Sequence, residues 1–394
     1  MGVSRIVLAA VAAAALIIPG SVGAQTTPAP APAASVAGEP IASAASHIAI
    51  LDYGTGQTLY CRRCNEPMSP SSMSKLMTLL VVADQIRAGK ITLDTEFGVS
   101  EKAWRHGASS DGSHMFLELN SRVRVEDLLR GAAIVSANDA CIALAEGVAG
   151  SEEGFVDLMN ARARELGLTS AQFRNATGLP DPDHVVSASD LARLSAVIIR
   201  DYPELYRHYS ERSLTYNGKT QGNRNPLLGM PGADGVKTGH TSVAGYGMIG
   251  SATLNSQRRI VVINGLPTNA ARAEEAKRLI NAAFYDFSVT SLFEKDAVVG
   301  AAEVWLGARD RVPLVATQNI AVAAHRAARA GMKAAVVYDG PVAAPIKKGD
   351  VIARLVVEGP GVRQEFPLAA GARVGRANPF ARAGFGLSRV FGGG

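Results

Sequence analysis

The chain is poor in cysteine and tryptophan, with three and two residues among 394. That excludes a small disulfide-stapled scaffold, which would need a far denser cysteine framework. A structural zinc site is excluded as well, because Cys61 and Cys64 have no second cysteine pair, no H-E-x-x-H accompanies them, and the seven histidines are scattered. Charge of one sign is not concentrated either. Lys and Arg number 40 against 35 Asp and Glu, the net charge is only +5, and the basic residues form no stripe, which argues against a nucleic-acid partner. No apolar run reaches the roughly 20 residues needed to span a bilayer. What is abundant is ordinary: 47% hydrophobic and 19% charged residues, enough to bury a core and, at this length, to build two domains.

The longest apolar stretch, Ile6 to Ile18, follows Arg5 and ends near the small-residue pattern Val22-Gly23-Ala24. Residues 1–24 therefore read as a signal peptide and imply export. Residues 25–44 are rich in Ala and Pro and lack bulky apolar side chains, as expected of a flexible tether. In an exported chain, Cys61 and Cys64 are either a local structural disulfide or two free thiols. A redox pair is disfavoured because no helical pattern follows directly.

Two extended runs, His47 to Tyr53 and Gln57 to Cys61, flank Gly54-Thr55-Gly56 and predict a hairpin. Ser69 and Pro70 then signal a helix starting near Ser71, with Met73, Leu76, Met77, Leu80 and Val81 at helical spacing. The chain from Lys90 to Val186 mixes helices and loops, including Val125 to Val135 and Asp139 to Ala149. Strand character returns at Val236 to Thr238, Tyr246 to Thr253 and Arg259 to Gly265, and an amphipathic helix is expected over Arg272 to Phe287. Strands at both ends of a helical middle predict an α/β (α+β) domain, an antiparallel sheet covered by helices, over residues 45–291. Short Val- and Ala-rich runs then predict a small all-β domain over 292–375. Residues 376–394 form a tail whose Phe380, Phe385, Leu387, Val390 and Phe391 suit a membrane-surface segment, although Gly384 and Gly386 favour a disordered tail equally.

Three short motifs occur once each and in order: Ser72-Met73-Ser74-Lys75, Ser136-Ala137-Asn138 and Lys237-Thr238-Gly239. Residues three apart stack on one helix face, so Lys75 can reach the Ser72 hydroxyl as its base. A lysine serves this role only if burial and a second cation, for which Lys237 is placed, lower its pKa. Ser136 and Asn138 lie on a turn between helical runs, where they would either cap a helix or face a cleft. Lys237 to Gly239 falls on a strand whose glycine would leave the backbone open to an added strand.

This ordered set is known from penicillin-binding proteins and class A β-lactamases. With Pro70 to Thr78, Ser136 to Cys141, Asn223-Arg224-Asn225 and Asp234 to His240, the sequence resembles the low-molecular-mass D-alanyl-D-alanine carboxypeptidases, serine peptidase family S11. The resemblance implies a β-lactamase/transpeptidase-like domain, a Ser72 acyl-enzyme on peptidoglycan stem peptides, acylation by β-lactam antibiotics, and no cofactor or metal; with the leader it implies a periplasmic location, while the Gly-rich tail is a poor match for a strong amphipathic anchor to the inner membrane. It implies an oxyanion hole from the Ser72 and His240 backbone N–H groups, a proton shuttle at Ser136, and Arg224 and Thr238 on the terminal carboxylate. Ala137 stands where class A β-lactamases carry Asp. A β-lactamase remains a rival, with Glu204 superficially placed as a deacylating base but Tyr206 standing where that loop has Asn. The same residues would also serve an endopeptidase that cuts cross-links, and a catalytically idle protein could keep the fold for wall binding.

Overall fold

The computed structural model describes residues 2–8, 17–19, 41–108, 112–360 and 362–378. The chain divides into two compact units, Ile41–Tyr285 and a second that contains Asp286 onward together with the N-terminal segment.

The first unit is a five-stranded antiparallel sheet with helices packed against it. Its strand order is Ala233–Thr241, Gly245–Leu254, Gln257–Leu266, His47–Asp52, Thr58–Arg62, so N- and C-terminal segments share one sheet and Ala233–Thr241 forms an edge. The hairpin expected around Gly54-Thr55-Gly56 forms, and a second joins Gly245–Leu254 to Gln257–Leu266. At the first, the Asp52 carboxylate accepts from the backbone N–H of Thr55 at 2.9 Å and from its hydroxyl at 2.6 Å, which closes the turn. At the second, Asn255 and Ser256 both take positive φ, as a two-residue hairpin loop requires.

The helix expected from Ser71 is a 3-10 turn, Ser71–Ser74, feeding an α-helix over Lys75–Arg87. Every residue from Lys75 to Ala83 is buried, so this helix runs through the middle of the domain and is not a half-exposed amphipathic one. Val125 to Val135 is likewise split, into an α-helix over Val125–Arg130 and a π-helical turn over Gly131–Val135. The amphipathic helix is Asn269–Tyr285, shorter than expected at its C-terminal end. Phe287 belongs instead to the strand Phe287–Phe293, because its buried ring is on a backbone that pairs with His325.

The second unit is all-β. Antiparallel ladders join Val298–Trp305, Arg311–Ala316, Val362–Ala370, Val351–Gly359 and Lys333–Gly340 in that order. A separate pair joins Phe287–Phe293 to Ile320–His325, so the expected boundary at 291/292 falls inside a strand of this unit. Gly2–Leu8 runs antiparallel along Lys333–Gly340. Arg376 bridges to Gly307, which places the first residues of the expected tail against the sheet. The rest of that tail, most of the tether and residues 9–16 and 20–24 of the expected leader lie outside the described residues. Among the described residues no helix is long and apolar enough to cross a membrane.

Candidate active site

Ser72 sits half-buried in the 3-10 turn, one turn before Lys75. Lys75 is completely buried, and its Nζ donates to Ser72 Oγ at 2.8 Å, to Asn138 Oδ1 at 2.7 Å and to the Thr177 carbonyl. This geometry decides what the amine can do. When Lys75 is neutral it keeps two protons, and Asn138 and Thr177 supply two acceptors for them. The lone pair is then left facing the Ser72 hydroxyl. Burial holds the Lys75 pKa at about 8, opposed by Cys141 and Asp139 and aided by Arg224.

Lys237, also buried, donates to the Thr238 carbonyl at 3.0 Å. Burial first, then the Lys75 and Arg224 charges, depress its pKa well below an ordinary lysine. Two nearby ammonium groups on one site, with no ion pair to either among the described residues, favour an anionic ligand there.

Ser136 follows the π-helical turn with φ of 64°, and its buried Oγ has no hydrogen-bond partner among the described residues. Asn138 opens the helix Asn138–Ala149, and its backbone N–H donates to the Ser113 carbonyl at 2.7 Å.

The edge strand Ala233–Thr241 is drawn directly onto the Ser71–Ser74 turn. Ser71 Oγ lies 3.3 Å from Thr241 Oγ1, and a Cβ on Gly239 would come within 3.0 Å of Ser71 Cβ and 3.1 Å of the Pro70 carbonyl. A side chain at 239 would press on the serine turn, so glycine suits the close approach of the strand there. Thr238 is buried, whereas the exposed His240 ring stacks on Tyr246 with centroids 3.8 Å apart. Exposed Arg224 donates from Nη1 to Ser113 Oγ.

Two groups at the site were not anticipated. The Thr177 carbonyl is aimed at Lys75 by a tight turn in which Asn175 Oδ1 accepts from the N–H groups of Thr177 at 3.1 Å and Gly178 at 2.7 Å. The run Asn175-Ala176-Thr177-Gly178 is a turn signature that could have been read. The other is Asp139, fully buried, whose carboxylate accepts, among the described residues, only backbone N–H groups. Glu204, the base a class A β-lactamase would need, is exposed and pairs with Arg207 at 3.1 Å, while Tyr206 is buried and donates to Asp234 at 2.7 Å. Cys61 and Cys64 are joined as a disulfide. Cys141 is buried and free, its thiol pushed up to about 11 by burial. Among the described residues no three His, Cys, Asp or Glu side chains gather as a metal site.

Residues 33–268 match the family Peptidase_S11, D-alanyl-D-alanine carboxypeptidase. The chain belongs to the D-alanyl-D-alanine carboxypeptidase family. Residues 287–378 match a second domain family, the C-terminal domain of penicillin-binding protein 5, so this carboxypeptidase carries the all-β unit as well. It is 37% identical over 313 residues to D-alanyl-D-alanine carboxypeptidase DacA of Haemophilus influenzae, covering 78% of this chain and 79% of the relative. It is 36% identical over 359 residues to DacD of Salmonella typhimurium, covering 89% and 91%. Among solved structures, penicillin binding protein 5 from Haemophilus influenzae superposes with a TM-score of 0.75 at 35% identity, covering 86% of this chain and all of that one. Like its family, the protein is a serine-type carboxypeptidase of the penicillin-binding class with the corresponding α/β fold.

Proposed function

We propose that Ser72 is the nucleophile and Lys75 its base in removing the terminal D-alanine from peptidoglycan stem pentapeptides. The observation that carries this is the three-way hydrogen bonding of the buried Lys75 Nζ, which leaves the neutral amine one direction for its lone pair, toward Ser72 Oγ. In acylation Lys75 takes the hydroxyl proton as Ser72 Oγ bonds to the penultimate D-Ala carbonyl carbon. The oxyanion then formed is stabilised by the backbone N–H groups of Ser72 and His240. Collapse breaks the peptide C–N bond, and the departing D-Ala nitrogen receives, through Ser136, the proton that Lys75 took; the buried Ser136 hydroxyl has no other partner among the described residues. Water hydrolyses the ester, with Lys75, neutral again, accepting the water's proton and passing it to Ser72 Oγ as the ester C–O bond breaks. Arg224, Thr238 and the positive field of Lys237 hold the substrate carboxylate, Asn138 also orients the substrate peptide, and the free edge of Ala233–Thr241 receives it as an added strand.

β-Lactams present a strained amide to the same serine. With Glu204 on the surface and paired to Arg207, it is not placed to hydrolyse that ester rapidly, and the adduct persists. A periplasmic location is supported by the leader pattern and by the Cys61–Cys64 disulfide, a bond that persists in oxidising compartments. The apolar tail beyond residue 378 would rest on the inner-membrane surface. The test of the activity is release of D-alanine from a synthetic stem pentapeptide. The wild-type chain liberates one D-Ala per peptide and Ser72→Ala none; a folded wild-type chain that liberates none, yet is intact and penicillin-reactive, would remove the carboxypeptidase reading. A cross-linked muropeptide assayed alongside ranks carboxypeptidase against endopeptidase activity.

A further inference from the structure

Asp139 is fully buried, and an ionised carboxylate in such a place must have its oxygens satisfied. Among the described residues its partners are all backbone N–H groups. Oδ1 accepts from Ala140 N–H at 2.9 Å and Met115 N–H at 3.1 Å, and Oδ2 accepts from Leu117 N–H at 3.2 Å. Two of these three donors belong to a segment that forms neither helix nor strand and has no ladder of its own to fix it. The same segment carries Ser113. The Ser113 hydroxyl accepts from Arg224 Nη1, and its carbonyl accepts from the N–H of Asn138 at 2.7 Å, the residue whose side chain holds Lys75. On its far side Gln221 Nε2 donates to the His114 carbonyl at 2.9 Å, joining the segment to the hairpin that leads to Arg224.

We infer that Asp139 is a positioning residue for substrate selection: by pinning residues 113–117 it fixes Ser113, and through Ser113 it holds the Arg224 guanidinium where the free carboxylate of the departing residue must sit. This rests on the proposed role of Arg224 as the carboxylate anchor. The selectivity of the site for a free C-terminal carboxylate over a C-terminal amide is then set partly by a buried side chain that touches neither. A guanidinium on an exposed, flexible stem gains specificity only if its orientation is held in advance.

The experiment compares kcat and KM for an acyl-D-Ala-D-Ala peptide and for its C-terminal amide, using the full chain carrying Asp139→Asn, Ser113→Ala, Arg224→Ala and the Asp139→Asn/Arg224→Ala pair. Asp139→Asn turns an acceptor into a donor facing backbone N–H groups. It should lose about tenfold in kcat/KM on the free acid, mostly in KM, with little change on the amide. The pair should lose no more than Arg224→Ala alone. Equal loss on acid and amide, or additive losses in the pair, would overturn the inference. Should Asp139→Asn not fold, Ser113→Ala carries the same test, since it removes only a part-exposed hydroxyl. Labelling of Ser72 by excess fluorescent penicillin, measured on every variant, reports the nucleophile independently. A wild type that labels but shows no preference for the acid, or an Arg224→Ala that keeps the preference, refutes the carboxylate anchor itself, whereas preference lost in Arg224→Ala but retained in Asp139→Asn and Ser113→Ala refutes only the role of Asp139.

Discussion

On the proposed mechanism, the burial of Lys75 makes the rate of Ser72 acylation depend on pH in a calculable way. Its ordinary pKa of 10.5 is lowered to about 8, chiefly by desolvation of the ammonium. A base works only when unprotonated. At pH 7 about a tenth of the folded molecules then hold neutral Lys75, against roughly 3 in 10,000 for an unshifted lysine, a gain of ~300-fold in competent enzyme. The second-order rate constant for benzylpenicillin acylation, followed by loss of fluorescent-penicillin labelling between pH 6 and 10, should rise about tenfold from pH 7 to 9 with its midpoint near 8. The same shift has a cost in stability. Between the folded value and 10.5 the unfolded chain binds more protons, so stability rises with pH across that window, and the full penalty of about 3 kcal/mol applies below pH 8. A flat acylation rate from pH 7 to 9.5, or a midpoint above 10, would refute the assignment of Lys75 as a base tuned by burial.

Asn138→Ala removes one of the two acceptors that orient the Lys75 lone pair, and should lower the acylation rate constant at least tenfold while the fold melts within a few degrees of wild type. Gly178→Ala would place a Cβ 2.1 Å from the Ser71 carbonyl at a φ of +78°. It should destabilise by about 2 kcal/mol or more in denaturant melts and reduce penicillin labelling by shifting the Thr177 carbonyl. Reduction of the Cys61–Cys64 bond, which closes a very short loop, should cost about 2 kcal/mol of stability by chemical denaturation and leave the stoichiometry of Ser72 labelling unchanged. Glu204→Gln alters only a surface ion pair, so the lifetime of the penicillin adduct, measured by intact mass over hours, should not change.

Much of the site was legible because its chemistry is local in sequence. Ser72 and Lys75 are one helical turn apart, and Ser136 with Asn138 lie on a single turn. The strand carrying Lys237 was recognisable, but the reason for Gly239 was not. Whether a glycine faces a substrate or a neighbouring turn depends on what packs against it, and here that is Pro70 and Ser71. Thr177 escaped notice because a backbone carbonyl has no side-chain signature; only the turn around Asn175 hints at it. Asp139 sits in a helix first turn, where an acidic residue is ordinarily a favourable neighbour of the helix dipole, and two of its three partners, Met115 and Leu117, are more than 20 residues away. In the fold, spacing placed the helix after Ser71 correctly but could not distinguish an amphipathic helix from one buried on every side. The end of Asn269–Tyr285 was overestimated because Phe287 continues the apolar helical period while its backbone has already entered a strand.

On the proposed mechanism Ser72, activated by Lys75, forms the acyl-enzyme. Intact-mass spectrometry after brief exposure to benzylpenicillin, followed by peptide mapping, tests it most directly. One adduct per chain on the peptide containing Ser72, absent from Ser72→Ala and slowed by orders of magnitude in Lys75→Ala, is the predicted result. An adduct that persists in Ser72→Ala, or maps to a different peptide in the wild type, would contradict it.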